Sequence, residues 1–367
     1  MKTLLIHRRR LLQAGLAATL PLPTLAQQRR FEPQVGPWRT FEVTTSVNVA
    51  EPQGTTLLWL PLPDLSTPWQ QTLDNAWTGN AAQARVVADP VRGVRMLLVE
   101  FGDDNPAPAV ALTSRVRTRN RAVDWRLPTP AAEDPAVLRE CLSATELQPV
   151  DGIVRKTALE ATRGAKTDVD KARALYDWVV AHGHREPTTR GCGTGDIKAM
   201  LETGNLGGKC ADLNALFVGL CRSVGVPARD VYGLRLAPSA FGYRELGANP
   251  AGLKGAQHCR AEVYLKAHGW VAMDPADVLK VMRQETPEWI KDPQHALAAP
   301  VYRGLFGNWE GNWVGWNMAH DIRLPGSVGK GTLPFLMYPN GENDAGSFDE
   351  LAPDAFKYTI SAKELSV

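Results

Sequence analysis

The chain has 367 residues, of which 44% are hydrophobic and 22% charged. These values are ordinary for a soluble globular protein, and the length allows two or three domains with filled cores. The first 26 residues hold four of the 41 basic residues and no acid, so the remainder carries 37 basic and 39 acidic residues, a net charge of −2. Such a balance does not favour nucleic acid or an anionic membrane surface as a partner.

The first 26 residues are typical of an export signal. A twin-arginine motif lies within His7–Gln13, an apolar stretch runs from Leu12 to Leu22, and Thr24-Leu25-Ala26 offers a cleavage site. The apolar stretch is too short for a membrane anchor and is broken by Pro21 and Pro23. We therefore predict a periplasmic or secreted protein, with no stable membrane span after the signal is removed.

Residues 27–126 are predicted to form a β-rich, sandwich-like domain. Short runs of alternating or continuous apolar residues are separated by proline, glycine and asparagine turns, a pattern typical of a sandwich. The candidate strands lie at 41–49, 55–62, 84–88, 94–101 and 110–116. Proline-rich, charged sequence over 127–150 then predicts a connector.

From residue 151 the pattern becomes helical. Thr167-Asp168-Val169-Asp170 resembles a capping box, and apolar residues from Val169 to Val179 line one face of a helix that ends near Gly183. The following loop, Glu186–Gly195, contains Cys192 and is a candidate wall of a functional cleft.

Cys210 follows two glycines and a lysine and opens a strongly helical pattern. Apolar residues recur at helical spacing from Leu213 to Val224, and Gly225 and Pro227 are stop signals. Cys210 is therefore expected in the first turn of a buried helix, where free N–H groups and the helix dipole favour a thiolate. A lone cysteine in such a helix is more often a small buried side chain, so the assignment needs partners.

Those partners lie about fifty residues further on, in a predicted hairpin. His258–Leu265 is a candidate strand, 266–269 a turn, and Trp270–Pro275 the returning strand. His258 at the start of one strand and Asp274 at the end of the next suit adjacent positions, so the carboxylate can orient the imidazole towards the thiol. Asp277 is an alternative acid, although its place after Asp274-Pro275 favours a turn residue.

These features resemble the transglutaminase-like cysteine enzyme superfamily, whose core carries Cys on a helix, His on a strand and Asp on the next strand. The resemblance covers roughly residues 165–280. The matching motifs are Gly208-Lys209-Cys210, Gly225-Val226-Pro227-Ala228-Arg229, His258 with Glu262-Val263-Tyr264, Gly269-Trp270 and Asp274-Pro275.

The resemblance implies an α+β fold in which the sandwich-like domain precedes a transglutaminase-like, papain-type catalytic core at 151–295. It implies Cys210 as nucleophile, His258 as general base and then acid, and Asp274 as the orienting group. The expected activity is thiol-dependent acyl transfer on amide bonds of a peptide, protein or small amide, through an acyl-thioester and without a cofactor. Hydrolysis is preferred to transamidation because water is always available. The alternative is a non-catalytic binding or scaffolding protein that keeps the fold.

Two departures from the family pattern stand out. Many relatives carry Ala-Trp after the histidine, where this chain has Cys259-Arg260. The upstream aromatic residue that helps to hold the oxyanion in animal transglutaminases has no clear counterpart, which leaves the backbone N–H of Cys210 as the expected donor. Because Cys259 follows His258 on a strand, its side chain is expected to point away from Cys210.

The other cysteines and the C-terminal segment leave alternatives open. If Cys210 is free, Cys141, Cys192, Cys221 and Cys259 allow three pairings into two disulfides, and no Cys or His pair has metal-ligand spacing. Residues 296–367 form a Trp-rich segment that ends in a strand near 356–365. Its clustered tryptophans, Trp309, Trp313 and Trp316, favour packing over a substrate-binding rim. The final strand could belong to a separate unit or pack back on the sandwich.

Overall fold

The computed structural model describes residues 29–366, so the predicted export signal at 1–26 lies outside the described residues. The strands are β1 (Arg39–Asn48), β2 (Thr56–Pro61), β3 (Gln70–Gly79), β4 (Gln83–Ala88), β5 (Arg95–Phe101), β6 (Ala109–Thr118), β7 (His184–Arg185), β8 (Gly207–Gly208), β9 (Ala228–Arg235), β10 (Gln257–Leu265), β11 (Gly269–Met273), β12 (Phe306–Gly307), β13 (Trp313–Asn317), β14 (Asn340–Asn343), β15 (Gly346–Ser347) and β16 (Tyr358–Leu365). The α-helices are α1 (Pro135–Glu140), α2 (Gly152–Ala161), α3 (Asp168–His182), α4 (Ile197–Thr203), α5 (Cys210–Ser223), α6 (Pro275–Gln284), α7 (Ala299–Gly304) and α8 (Pro353–Phe356).

Two antiparallel sheets form the N-terminal part of the fold. One has the strand order β16-β1-β6-β3 and the other β15-β14-β2-β5-β4. Side chains of β1 alternate between buried and partly buried, as expected when one face of a strand is covered. Buried residues of both sheets, such as Phe41 and Leu58, share the main hydrophobic core, while Trp59, Met96 and Leu98 on the other face of the second sheet form a smaller cluster. The predicted β-rich N-terminal layer is therefore present.

The C-terminal segment packs back on these sheets. Strand β16 pairs with β1 in a register that sets Ile360 opposite Thr45, and β14 pairs with β2. The other edge of β16 bonds to a loop of the core, where Leu253 N–H donates to Ile360 O at 2.8 Å and Ala362 N–H donates to Pro250 O at 2.8 Å. The final strand therefore packs back on the N-terminal sheets and does not form a separate unit.

The core combines a five-stranded antiparallel sheet, ordered β12-β11-β10-β9-β13, with a central helix. Helix α5 packs on β10 and is surrounded by α2, α3 and α6, so all 14 of its residues are buried. It ends at Ser223, and Gly225 beyond it has a φ of +81°, in agreement with the predicted stop. The predicted α+β fold class is confirmed.

The predicted hairpin corresponds to β10 and β11, which pair in antiparallel register. Asp274 follows β11 directly and caps α6.

Trp309 and Trp313 are buried, and each packs against the ring of Trp69 in the N-terminal part. Packing is therefore the role of these tryptophans, as predicted. None of the helices within residues 29–366 has the length and apolar character needed to cross a membrane.

Candidate active site

Cys210 is the first residue of α5 and is almost completely buried, with 3% of its surface exposed. The helix starts here because Asp212 accepts the N–H of Lys209 at 3.0 Å, which satisfies one of the donors at the helix N-terminus. Among residues 29–366, no acceptor bonds to the N–H of Cys210 itself. The thiol and this free N–H therefore lie together at the positive end of a helix dipole.

A short loop is held over Cys210 by the same aspartate. The Asp212 carboxylate also accepts the N–H groups of Thr194 and Gly195, both at 2.9 Å, and Ala211 N–H donates to Cys192 O at 2.9 Å. The loop reaches the carboxylate closely because residue 193 is a glycine, with a φ of +92°. The predicted wall of the cleft is thus fixed to the first turn of α5.

His258 lies near the start of β10, where the backbone is held on both sides. It pairs across the sheet with Gly233, and the indole N–H of Trp313 donates to His258 O at 3.0 Å. Any side chain at position 233 would overlap that indole, so the glycine makes room for it. The Nε2 atom of His258 lies 2.7 Å from Oδ2 of Asp274. The imidazole is close enough to the Cys210 thiol to help lower its pKa. Because Nε2 is occupied by the carboxylate, Nδ1 is the atom left for the thiol.

Asp274 is fully buried at the junction of β11 and α6. Its Oδ1 accepts the side-chain amide of Asn214 at 3.1 Å and the N–H of Asp277 at 3.1 Å. Asn214 lies on α5 and donates also to Cys259 O at 2.8 Å. This amide therefore joins the helix that carries the candidate nucleophile to the strands that carry the candidate base and acid.

Asp277 is not a turn residue, and that expectation was wrong. It lies in the first turn of α6 and is buried, and its two carboxylate oxygens accept from Nη2 of Arg235 at 2.5 and 2.7 Å. Its Oδ2 lies 3.3 Å from Nε2 of His258. Asp274 caps α6, which is why the residue three positions later turns inward beneath the imidazole. The site therefore contains two carboxylates beside His258, and Asp274 makes the shorter contact.

Charges around the site shift the pKa values of both candidate reacting groups. Burial and the nearby Arg235 lower the pKa of His258, but the carboxylates of Asp277 and Asp274 outweigh them and raise it to about 9. Hydrogen bonds with Cys192 and Cys259, followed by contact with His258, hold the pKa of Cys210 well below the usual thiol value despite burial. A thiolate facing an imidazolium is the state that these shifts favour near neutral pH.

The expectation that Cys259 faces away from Cys210 was also wrong. The Cys192 loop and the segment with Met337 and Tyr338 close around this part of β10, so three thiols meet. The pKa of Cys192 is raised, first by its hydrogen bond to Cys210, and burial raises that of Cys259. Both thiols therefore stay protonated. Cys192 donates to Gln257 O at 3.4 Å, and Cys259 donates to Met337 Sδ at 3.9 Å. All five cysteines are free and buried, so no candidate disulfide is formed.

His258, Asp274 and Asp277 present ligand atoms within 4.8 Å of one another, a spacing that could hold a metal ion. Their bonding fits a proton relay better. Asp277 is already neutralised by the guanidinium of Arg235, and both Oδ atoms of Asp274 are engaged by hydrogen bonds. We assign no metal to this group.

The site opens into a cleft of about 540 Å³. The lining includes Cys210 and His258, the Cys192 loop, the 252–257 segment and, from the C-terminal part, Tyr338 and Tyr358. A larger depression of about 1620 Å³ lies between 29–35 and 300–308 and contains none of the candidate residues. The smaller cleft is therefore where a substrate would meet the thiol.

A buried helix that opens with a cysteine and packs on an antiparallel sheet bearing His and Asp defines a papain-type core. The family model of the transglutaminase-like superfamily matches residues 155–275, and the chain belongs to this superfamily. An uncharacterized protein of Haemophilus influenzae is 32% identical over 342 residues, which cover 89% of this chain and 91% of the relative.

One similar solved structure shares the fold. A "Putative Cysteine Protease" from Cytophaga hutchinsonii is 15% identical with a TM-score of 0.54, covering 91% of this chain and 93% of its own. The periplasmic domain of TgpA from Pseudomonas aeruginosa is 17% identical with a TM-score of 0.36, covering 72% of this chain and 76% of its own.

Proposed function

We propose that the protein is a thiol-dependent acyl-transfer enzyme that acts on amide bonds, with Cys210, His258 and Asp274 as its catalytic residues. The single observation that carries the proposal is the buried contact of 2.7 Å between His258 Nε2 and Asp274 Oδ2, in the same cleft lining as the Cys210 thiol. Three side chains from a helix, a strand and a helix cap meet here in the order that nucleophilic catalysis requires.

In the proposed reaction, the Cys210 thiolate attacks the carbonyl carbon of the amide. The free N–H of Cys210 donates to the oxyanion, and the imidazolium of His258 gives its proton to the departing amine. An acyl-thioester remains on Cys210. His258, now neutral, accepts a proton from water or from a second amine, which attacks the thioester and releases the acyl group. We favour hydrolysis because water needs no binding site.

The test is alkylation of Cys210 across pH 4 to 9, followed by mass spectrometry to identify the labelled cysteine. An ion pair should make Cys210 react in mild acid in the wild type and lose that reactivity in His258→Ala. Cys221→Ala, which removes a buried thiol elsewhere on α5, is the matched control and should keep the wild-type profile. Identical profiles that rise only near the ordinary thiol pKa of about 8.5 would favour a non-catalytic binding protein.

We further propose that the protein acts in the periplasm or outside the cell, after export by the twin-arginine route. The motif at Arg8-Arg9-Arg10 and the cleavage site at Ala26 support this. Replacing the three arginines by lysine should leave the precursor in the cytoplasm, as fractionation and immunoblotting would show. Normal processing of that variant would reject the route without bearing on the chemistry at Cys210.

A further inference from the structure

Among residues 29–366, every charged side chain that lines the cleft beside Cys210 is cationic. Its cationic lining residues are Arg185, Lys209, Arg235, Lys254 and Lys280, and no aspartate or glutamate of residues 29–366 lines it. Three of the five have acidic partners close by: Arg235 pairs with Asp277, Lys254 with Asp354, and Lys280 with Glu245 at 3.3 Å.

Arg185 and Lys209 have no acidic partner within residues 29–366. The Nε atom of Arg185 donates to the neutral amide oxygen of Gln284 at 3.0 Å, and the amino group of Lys209 makes no hydrogen bond or ion pair. Glu186, the next residue after Arg185, is not available because its carboxylate accepts the N–H and hydroxyl of Thr188, at 2.9 and 2.7 Å. Neither cation therefore makes an ion pair within residues 29–366, although Cys210 and Asp212 lie near enough to Lys209 to offset part of the effect of Arg185 on its pKa.

The backbone brings these two cations together next to the thiol. Strands β7 and β8 pair in parallel, which sets Arg185 beside Gly208, and Lys209 and Cys210 follow directly. Burial and then the charge of Arg185 lower the pKa of Lys209, as expected for two like charges near each other. Placing like charges side by side at a half-buried position costs stability unless a ligand compensates them.

We propose that Lys209 and Arg185 form an anion subsite, so that the enzyme acts on amides that carry a carboxylate close to the scissile bond. The substrate class is thus an acidic peptide or another carboxylate-bearing amide. This inference rests on the proposed function, because the subsite is placed relative to the Cys210 thiol. Lys209 and Arg185 would be specificity-determining residues, since neither touches the proton that His258 transfers.

The experiment compares an anionic and a neutral alkylating reagent of the same size, iodoacetate and iodoacetamide, on the full chain. The readout is the ratio of their rates at Cys210, measured by mass spectrometry at pH 6 and again at pH 9. Lys209→Gln and Arg185→Gln should each lower this ratio about fivefold, the effect of one charge at about 4 Å in water-like surroundings. Rising salt should lower the ratio in the wild type more than in the variants.

Lys198→Gln, which removes an exposed lysine on α4, is the matched control and should leave the ratio unchanged. A variant that only weakens the thiolate would slow both reagents equally. A ratio that stays at the wild-type value in both folded variants would overturn the anion subsite. The ratio can be measured even if Cys210 behaves as an ordinary thiol at pH 9, so failure of the proposed function is seen separately, in the absolute rate at pH 6.

Matched peptides then define the carboxylate. Four peptides are compared. Two carry Glu beside the scissile amide and two carry Gln, and within each pair one peptide has a free C-terminus and the other an amidated C-terminus. A preference for Glu in both forms would assign a side-chain carboxylate, and a preference for the free terminus would assign the chain end. Equal kcat/KM for all four peptides would contradict the proposal.

Discussion

Asp277 shows most clearly how one residue sets the chemistry of another. With Asp274, it raises the pKa of His258 to about 9 against the effects of burial and Arg235. Asp277→Asn should therefore lower the pKa of His258, and the imidazolium that faces the thiolate should be lost at a lower pH than in the wild type. Titration of the His258 imidazole by NMR measures this shift.

The same variant leaves Arg235 buried without its counter-charge. We expect the free energy of unfolding to fall by about 3–5 kcal/mol, the usual effect of breaking one side of a buried ion pair. Asp354→Asn removes an exposed carboxylate at the rim of the cleft and is the matched control, with no change expected in either quantity. A folded Asp277→Asn protein with the wild-type His258 titration would show that Asp277 serves Arg235 only.

Cys259 provides a second test at this scale. Its thiol, after that of Cys192, lowers the pKa of Cys210. Cys259→Ala should therefore shift the onset of Cys210 alkylation to higher pH, while Cys221→Ala, which also removes a buried sulfur, should not. The stability cost should be similar for both, because similar cavities are made. Equal onsets in the two variants would show that the third thiol only fills space.

Sequence could locate Cys210, His258 and Asp274 because each lies at the boundary of an element, where turn and capping signals are strong. Arg235 and Asn214 lie within a strand and a helix and look like ordinary polar residues there. Their roles come from packing: Arg235 meets a carboxylate 42 positions away, and Asn214 one that is 60 positions away. No local pattern predicts such pairs.

At the scale of elements, the attachment of the loop over the thiol to α5 depends on the glycine at position 193. A side chain at position 193 would meet the Asp212 carboxylate, and the φ of +92° is strained for any other residue. Gly193→Ala should therefore detach the loop from α5. Hydrogen exchange at the N–H groups of Thr194 and Gly195, which now bond to Asp212, should become faster.

Gly204 is the matched control because its φ is +71° and the space around it is open. Gly204→Ala should cost only about 1 kcal/mol, the strain of a left-handed alanine, and leave the loop protected. Equal destabilisation and equal exchange in the two variants would contradict the role given to the Asp212 contact.

Strand β3 shows where prediction of elements failed. It runs from Gln70 to Gly79 and pairs with β6, yet the predicted strands of the N-terminal part do not include it. Of its ten residues only Gln70 is buried, so the sequence shows no alternation of apolar and polar residues. Its place is fixed by backbone hydrogen bonds to a neighbour, which a hydrophobic pattern cannot reveal.

At the scale of the whole molecule, β16 joins the N-terminal sheet to the core. Ile360 is buried against that sheet, and its carbonyl oxygen accepts a bond from the segment that lines the cleft. Ile360→Ala should lower the free energy of unfolding by about 2–5 kcal/mol. Lys363→Ala, on the same strand but exposed, is the control and should change it by less than about 0.5 kcal/mol.

Because the two parts share this strand, they should also unfold together. Tryptophan fluorescence and the accessibility of Cys210 to alkylation should show one urea midpoint in the wild type, shifted equally in Ile360→Ala. Separate midpoints, with the fluorescence change alone moved by the variant, would show that the sheets and the core are independent units.

The pairing of β16 with β1 also has a consequence for biosynthesis. Strand β1 emerges from the ribosome early, but the strand that covers one of its edges is among the last parts of the described chain to be made. Throughout translation that edge can pair with other nascent chains, a hazard that usually calls for a chaperone. That edge can be closed only once β16, which begins at Tyr358, has been made.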